Sequence, residues 1–374
     1  MTAFYPPTIA TGRPVLNADV VDNSSHSRAS TVSIIDVTAT AAALRTSDSS
    51  IPPGLAKCMA KAIINFPLRI MIVDNSGSMQ SGDGQRLVQV GSKCRMLGCS
   101  RWAELTDDVV QMAKMSDAMH ARTDFHMLNP RPGVDAISIA ADAYDRIPPL
   151  GPCAKHGAVR EAMKHSPGGT TPLTEAVMRV VAMIEPRAAE LRASGETVAV
   201  IIATDGLPDD GQSFHQAMQM LQRLPVWLVV RLCTDDEMIV NYWNSMDEQL
   251  EVPLEVLDDL RSEAEEVMAV NPWLNYGPPL HAARLFGLPG KLFDAIDEQV
   301  LTPSMIKEFV EDLLGCTDLP EPELDARAFV NAVRTQQAEL PQTLNPKLME
   351  PGPWVDLRKL ERSVKGGKEG CVLM

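Results

Sequence analysis

Three short apolar runs constrain this chain more than any other feature. Arg69–Val73 (RIMIV), Thr197–Ala203 (TVAVIIA) and Val226–Leu232 (VWLVVRL) are continuous, strand-sized and rich in β-branched residues. A strand that alternates apolar and polar residues hides one face; a strand that is apolar throughout hides both. Between these runs lie patterns of helical period. Trp102, Leu105, Val109, Met112 and Met119 recur at steps of three or four residues or their multiples, which predicts an amphipathic helix over 101–121. Leu173, Val177, Val180, Val181 and Ile184 line one face of a helix running to about 193, with Thr171 expected as its cap and Pro172 at its first position. A further helix is expected over 212–223. Strands alternating with helices imply a mainly parallel sheet covered on both faces, an α/β fold.

The flanks read differently. Residues 1–52 are rich in Ser, Thr, Ala and Asp, which predicts a disordered N-terminal arm. The sheet domain is expected over 53–235, with a further strand at 124–128, loop over 129–152 and helix over 153–166. The Gly-, Ser- and Gln-rich stretch 79–99 shows no period. Residues 236–315 read as a helical extension packed on that core, ending in a helix with Thr302 as cap, Pro303 inside and Gly315 at its close. Residues 316–374, with many prolines and few apolar residues, read as a flexible tether.

Charge and cysteine usage narrow the function. A formal net charge of −15 repels phosphate backbones, so nucleic acid is not expected as a partner. Seven scattered cysteines, an odd count, are no disulfide framework and fit a reducing compartment. No apolar run has the length of a membrane span, and the first residues lack a secretory pattern, so a cytoplasmic, non-secreted protein is expected.

Three polar segments stand at strand ends or a helix start. Asp74-Asn75-Ser76-Gly77-Ser78 follows the first apolar run, Gly168-Gly169-Thr170-Thr171-Pro172-Leu173 precedes a helix, and Thr204-Asp205-Gly206 follows the second run. A parallel sheet delivers both post-strand loops to one edge, at the carboxyl ends of its strands, where ligands bind. Their carboxylates and hydroxyls are hard oxygen donors, the set that Mg²⁺ prefers.

These residues resemble the von Willebrand factor type A (VWA) domain with a metal-ion-dependent adhesion site. The resemblance covers about residues 66–235. It implies a Rossmann-like, doubly wound sheet. It further implies that Asp74, Ser76 and Ser78 of the first loop, Thr171 of the second and Asp205 of the third surround one Mg²⁺ or Mn²⁺, which docks an acidic residue of a partner protein. Two departures stand out. The stretch 79–99 separates the first loop from the next helix, and 236–315 exceeds what closing such a sheet requires. The rival readings are a Mg²⁺-dependent phosphohydrolase with Asp74 as nucleophile, and a scaffold whose metal site is vestigial. The first wants a general acid two residues on, where this chain has Ser76.

The chain ends Cys371-Val372-Leu373-Met374, an ending of the type farnesylated on Cys371. Over 355–370, Arg358, Lys359, Arg362, Lys365 and Lys368 stand against Asp356, Glu361 and Glu369. One lipid chain beside so weak a basic patch gives marginal, reversible association with the cytoplasmic face of a membrane.

Overall fold

The computed structural model describes residues 35–90, 93–131, 134–249 and 254–366. In chain order it begins with α1 (Val37–Ser47), α2 (Pro53–Asn65), β1 (Leu68–Val73), β2 (Gly84–Val90), β3 (Lys93–Cys99) and α3 (Arg101–Met119). Next come β4 (Thr123–Arg131), β5 (Val134–Ile139), β6 (Cys153–Ala154), α4 (His156–Ala162), α5 (Leu173–Ile184), α6 (Ala188–Ser194), β7 (Val198–Thr204), α7 (Gly211–Leu221) and β8 (Val226–Leu232). The chain continues through α8 (Glu237–Gln249), β9 (Leu254–Leu257), α9 (Leu260–Val270), α10 (Pro278–Leu285), α11 (Lys291–Glu298) and α12 (Pro303–Leu314). Last are α13 (Ala326–Gln337), β10 (Thr343–Asn345), β11 (Glu350–Gly352) and α14 (Leu357–Gly366).

Seven strands form the central sheet in the order β6-β5-β4-β1-β7-β8-β9. All neighbours run parallel except β4 and β5. This is a Rossmann-like α/β fold. The three apolar runs are its middle: every residue of β1 and β7 is buried. Because side chains alternate across a strand, Ile70, Ile72, Val200 and Ile202 enter a core shared with Val177 of α5, Phe214 of α7 and Trp243 of α8. Met71, Val73, Ile201 and Ala203 enter the opposite core, with Met59 of α2, Leu105 of α3 and Phe309 of α12. Each such side chain stabilises the fold by about 1.5–3 kcal/mol through burial.

Sheet order places the candidate site. From β1 the chain moves outward to β4, β5 and β6, then returns past β1 to β7. The direction reverses between β1 and β7, so the crevice of the doubly wound sheet opens at their carboxyl ends, directly above Asp74 and Asp205.

Several expectations need correction. Residues 37–47, expected in a disordered arm, are helix α1: Asp36 caps it by accepting from Thr38 and Ala39 N–H, and Ala41 and Leu44 are buried. Residues 1–34 lie outside those described. The stretch 79–99 holds a β2–β3 hairpin paired from Gly84↔Cys99 to Val90↔Lys93. The loop expected over 129–152 contains β5 and the end of β4. The sheet continues past residue 235 to β9. Residues 316–366 are not a tether. Phe329, Val333, Trp354, Val355 and Leu360 are buried in the same core as α12. There the prolines delimit short elements instead of extending the chain. No helix of the described residues is long and apolar enough to cross a membrane.

Two buried histidines give the fold a pH dependence. His126 of β4 is 2% exposed, and its Nε2 accepts from the Arg179 guanidinium. Burial first, and the Arg179 charge second, hold its pKa down at about 4. His281 of α10 is pushed down by burial and by the charges of Arg231 and Arg284. Depressed histidine pKa values give stability that is complete above the unfolded value and is lost as pH falls. Between the reference 6.5 and 4, His126 alone lowers the unfolding free energy by about 3 kcal/mol. Urea unfolding at neutral pH and near pH 4 should show this loss, and His126→Gln should reduce it by the His126 share. An equal loss in that variant would exclude His126 as its source.

Candidate functional site

The three polar segments meet in one place. Asp74 follows β1, fixed by Asp74 N–H donating to Ala203 O at 2.9 Å. Its Oδ1 accepts from Ser76 N–H at 2.8 Å and its Oδ2 from the Thr204 hydroxyl at 2.6 Å. The Ser76 and Ser78 hydroxyls lie 3.0 Å apart, and Ser78 donates to Asp205 Oδ1 at 2.8 Å. Four of the five expected ligands thus form one group. Asp74, Ser76 and Asp205 make a buried floor, and Ser78 stands on the exposed rim.

Backbone contacts hold the second loop to the first. Gly168 N–H donates to Asn75 O at 2.7 Å, and Gly77 N–H to Gly169 O at 3.1 Å. Asn75 and Asn129 exchange two hydrogen bonds, and Asn129 also donates to Thr170 O. Gly169 adopts φ +109°, where a Cβ would stand 2.3 Å from Asn129 Oδ1, so only glycine fits. Thr171 does not cap α5. The helix begins at Leu173 after Pro172, without a side-chain cap. Instead Thr171 N–H donates to Asp209 Oδ1 at 3.3 Å, and Thr171 O accepts from Asp209 N–H. A methyl added at Gly206 would lie 3.9 Å from Thr171 Oγ1, so that hydroxyl stands beside the Asp205 loop. All three loops are therefore tied together. Cys371 lies outside the described residues.

The sequence reading missed Thr204, Asp83 and Arg101. Arg101 donates to Asp205 Oδ2 at 2.9 Å and makes a two-pronged bond to Asp83. Its place was a legible signal. A cation in the first turn of a helix opposes the helix dipole and so needs an anionic partner. The two bonds hold the guanidinium pKa above its ordinary value, and Arg101 in turn holds Asp83 low. Asp74 moves the other way. Burial pushes its carboxyl up, the hydrogen bonds from Thr204 and Ser76 oppose this, and the Asp205 charge adds to it.

Two buried carboxylates, two serine hydroxyls and a neighbouring threonine are hard oxygen donors, and Arg101 already answers part of the Asp205 charge. This donor set fits Mg²⁺ or Mn²⁺. Such an ion would relieve the repulsion between Asp74 and Asp205, and the exposed rim leaves room for an outside ligand. No protein-family model and no curated protein matches the chain.

Proposed function

We propose that this chain is a metal-dependent protein-binding module of the VWA type, not an enzyme. Asp74, Ser76, Ser78, Thr171 and Asp205 hold one Mg²⁺ or Mn²⁺, directly or through water. The bound ion supplies an electrophilic centre for a carboxylate of a partner protein. One observation carries this reading: the three loops converge at the point where the sheet order reverses, the first tied to the third through Ser78 and Asp205 and to the second through Gly77 and Gly169. The cation also answers the acidic charge of the chain, since it dominates the field in its own site. Recognition is then short-ranged and metal-dependent rather than steered from afar.

The C-terminal Cys371-Val372-Leu373-Met374 belongs to the same reading, as a farnesyl acceptor. It gives a cytoplasmic protein a weak hold on a membrane face. The mass of the protein recovered from a eukaryotic cytosol checks it: a farnesyl increment lost in Cys371→Ser supports the reading, and an unmodified chain overturns it.

The metal site is tested by Mn²⁺ titration of the full chain and by capture from cytosolic extract in Mg²⁺ or in EDTA. Mn²⁺ affinity should fall at least about tenfold in Ser76→Ala and about a hundredfold in Asp74→Asn. Captured protein should be lost equally in EDTA and in Asp74→Asn. Unchanged affinity and unchanged capture would sink the proposal.

A further inference from the structure

A second acidic centre lies in the extension, away from the crevice. Arg284 of α10 is buried and forks onto three carboxylates: Glu255 of β9 at 2.9 Å, Glu263 of α9 at 2.6 Å and Asp297 of α11 at 2.7 Å. Each offers it one oxygen. Glu263 Oε1 accepts from Asp258 N–H at 2.9 Å. The remaining oxygens of Glu255 and Asp297, and Oδ1 of Asp294, are buried without a hydrogen-bond partner.

Glu255 is 9% exposed and lines a cavity of about 420 Å³, together with Glu266, Asp294, Asp297 and Trp227. Among the described residues, Glu263, Glu266 and Asp297 bring carboxylate oxygens within 4.8 Å of one another. Five acidic side chains therefore surround one guanidinium. A buried carboxylate oxygen left without a donor is costly, and several around one cavity call for a cation.

We propose that this cavity is a second divalent-cation site, of the Ca²⁺ class, with Glu263, Glu266 and Asp297 as ligands and Glu255 and Asp294 facing the ion or its water. Ca²⁺ takes 6–8 oxygens at 2.3–2.6 Å in a flexible shell, so ligands across the ion lie about 4.6–5.2 Å apart. The three acidic oxygens lie within 4.8 Å of one another, close enough to share one such ion. Mg²⁺ demands a tighter octahedron at 2.0–2.1 Å. Arg284 is a positioning residue here. It holds one oxygen of Glu255, Glu263 and Asp297 and leaves the other edge of Glu255 and Asp297 toward the cavity. The charged groups facing the site from the packed elements are Glu255, Glu263, Glu266, Arg284, Asp294, Asp297 and Glu298. The ion would fasten α9 to α11 beside the edge strand, independently of the Asp74 centre.

Tb³⁺, a luminescent substitute for Ca²⁺, tests this on the full chain. Trp227 lines the cavity, so excitation of tryptophan should give saturable Tb³⁺ emission that Ca²⁺ displaces. Trp227→Phe should dim it. Glu266→Gln with Asp297→Asn should weaken Tb³⁺ binding at least tenfold. If that pair fails to fold, Glu266→Gln alone, at an exposed position, should weaken it severalfold. Asp74→Ala should leave this component in place, even if the Asp74 centre also binds Tb³⁺. Absence of the component, its survival in the Glu266 and Asp297 variants, or its loss in Asp74→Ala would overturn the proposal. Loss of Mn²⁺ binding in Asp74→Asn bears on the other centre alone.

Discussion

Replacing Arg284 by methionine is expected to lower the unfolding free energy by about 3–5 kcal/mol, a large share of the stability of an ordinary domain. The side chain is 2% exposed and bonded to three carboxylates. Removing it leaves their charges buried and unanswered, which is where large losses arise. Lysine keeps the charge but not the fork, so Arg284→Lys should lose most of the same stability. A second change, Glu255→Gln, should recover part of it, because one of the stranded charges is gone. Urea unfolding of Arg284→Met, Glu255→Gln and the pair, read as a double-mutant cycle, measures this coupling. A loss below about 1 kcal/mol in Arg284→Met would mean that the surrounding acids are neutral in the native state.

The second large effect comes from a glycine. A Cβ at Gly54 would stand 2.1 Å from Asp312 O and 2.2 Å from Gly315 N, both backbone atoms of the segment that ends α12. No rotamer relieves such a clash, so α2 and α12 must move apart. Gly54→Ala is expected to cost about 3 kcal/mol, at the upper end for overpacking. Gly211→Ala is the control. It lies in the first turn of α7 with nothing within 4 Å of its added carbon, and should be neutral or stabilise slightly. A small loss at Gly54 would show that the α2–α12 contact is soft. Thermal unfolding of both variants decides it.

The centre of the fold was legible because β1, β7 and β8 are buried on both faces, and such strands cannot conceal their composition. The last helix of the extension was legible by its ends. Thr302 accepts from Met305 N–H, and Gly315 takes the left-handed conformation expected of a terminal glycine. The hairpin was harder. Its Gly91-Ser92 dipeptide is a turn signal between two paired runs, but those runs are mostly half-buried or exposed and show little apolar contrast. The segment after residue 316 misled because proline count outweighed a few large residues. Trp354 and Val355 are buried immediately after three prolines within 346–353. At the candidate site, Asp74, Ser76, Ser78 and Asp205 were legible from strand ends and spacing. The place of Arg101 in a first helical turn signalled a need for an anion, but that Asp83 and Asp205 supply it was not legible, because the three are distant in sequence and meet only in the folded chain.

The contact of α2 with α12 also bears on how the protein is made. Cys58 meets Asp312 across 254 residues of chain. At ribosomal rates of roughly 5–20 residues per second, α2 waits about 13–50 s for the segment that covers it. Throughout that interval the emerging chain carries an uncovered apolar surface. Birth of this protein is therefore a period of exposure, in which a chaperone that holds nascent chains has something to hold, and a pause in translation before residue 303 lengthens the risk of aggregation.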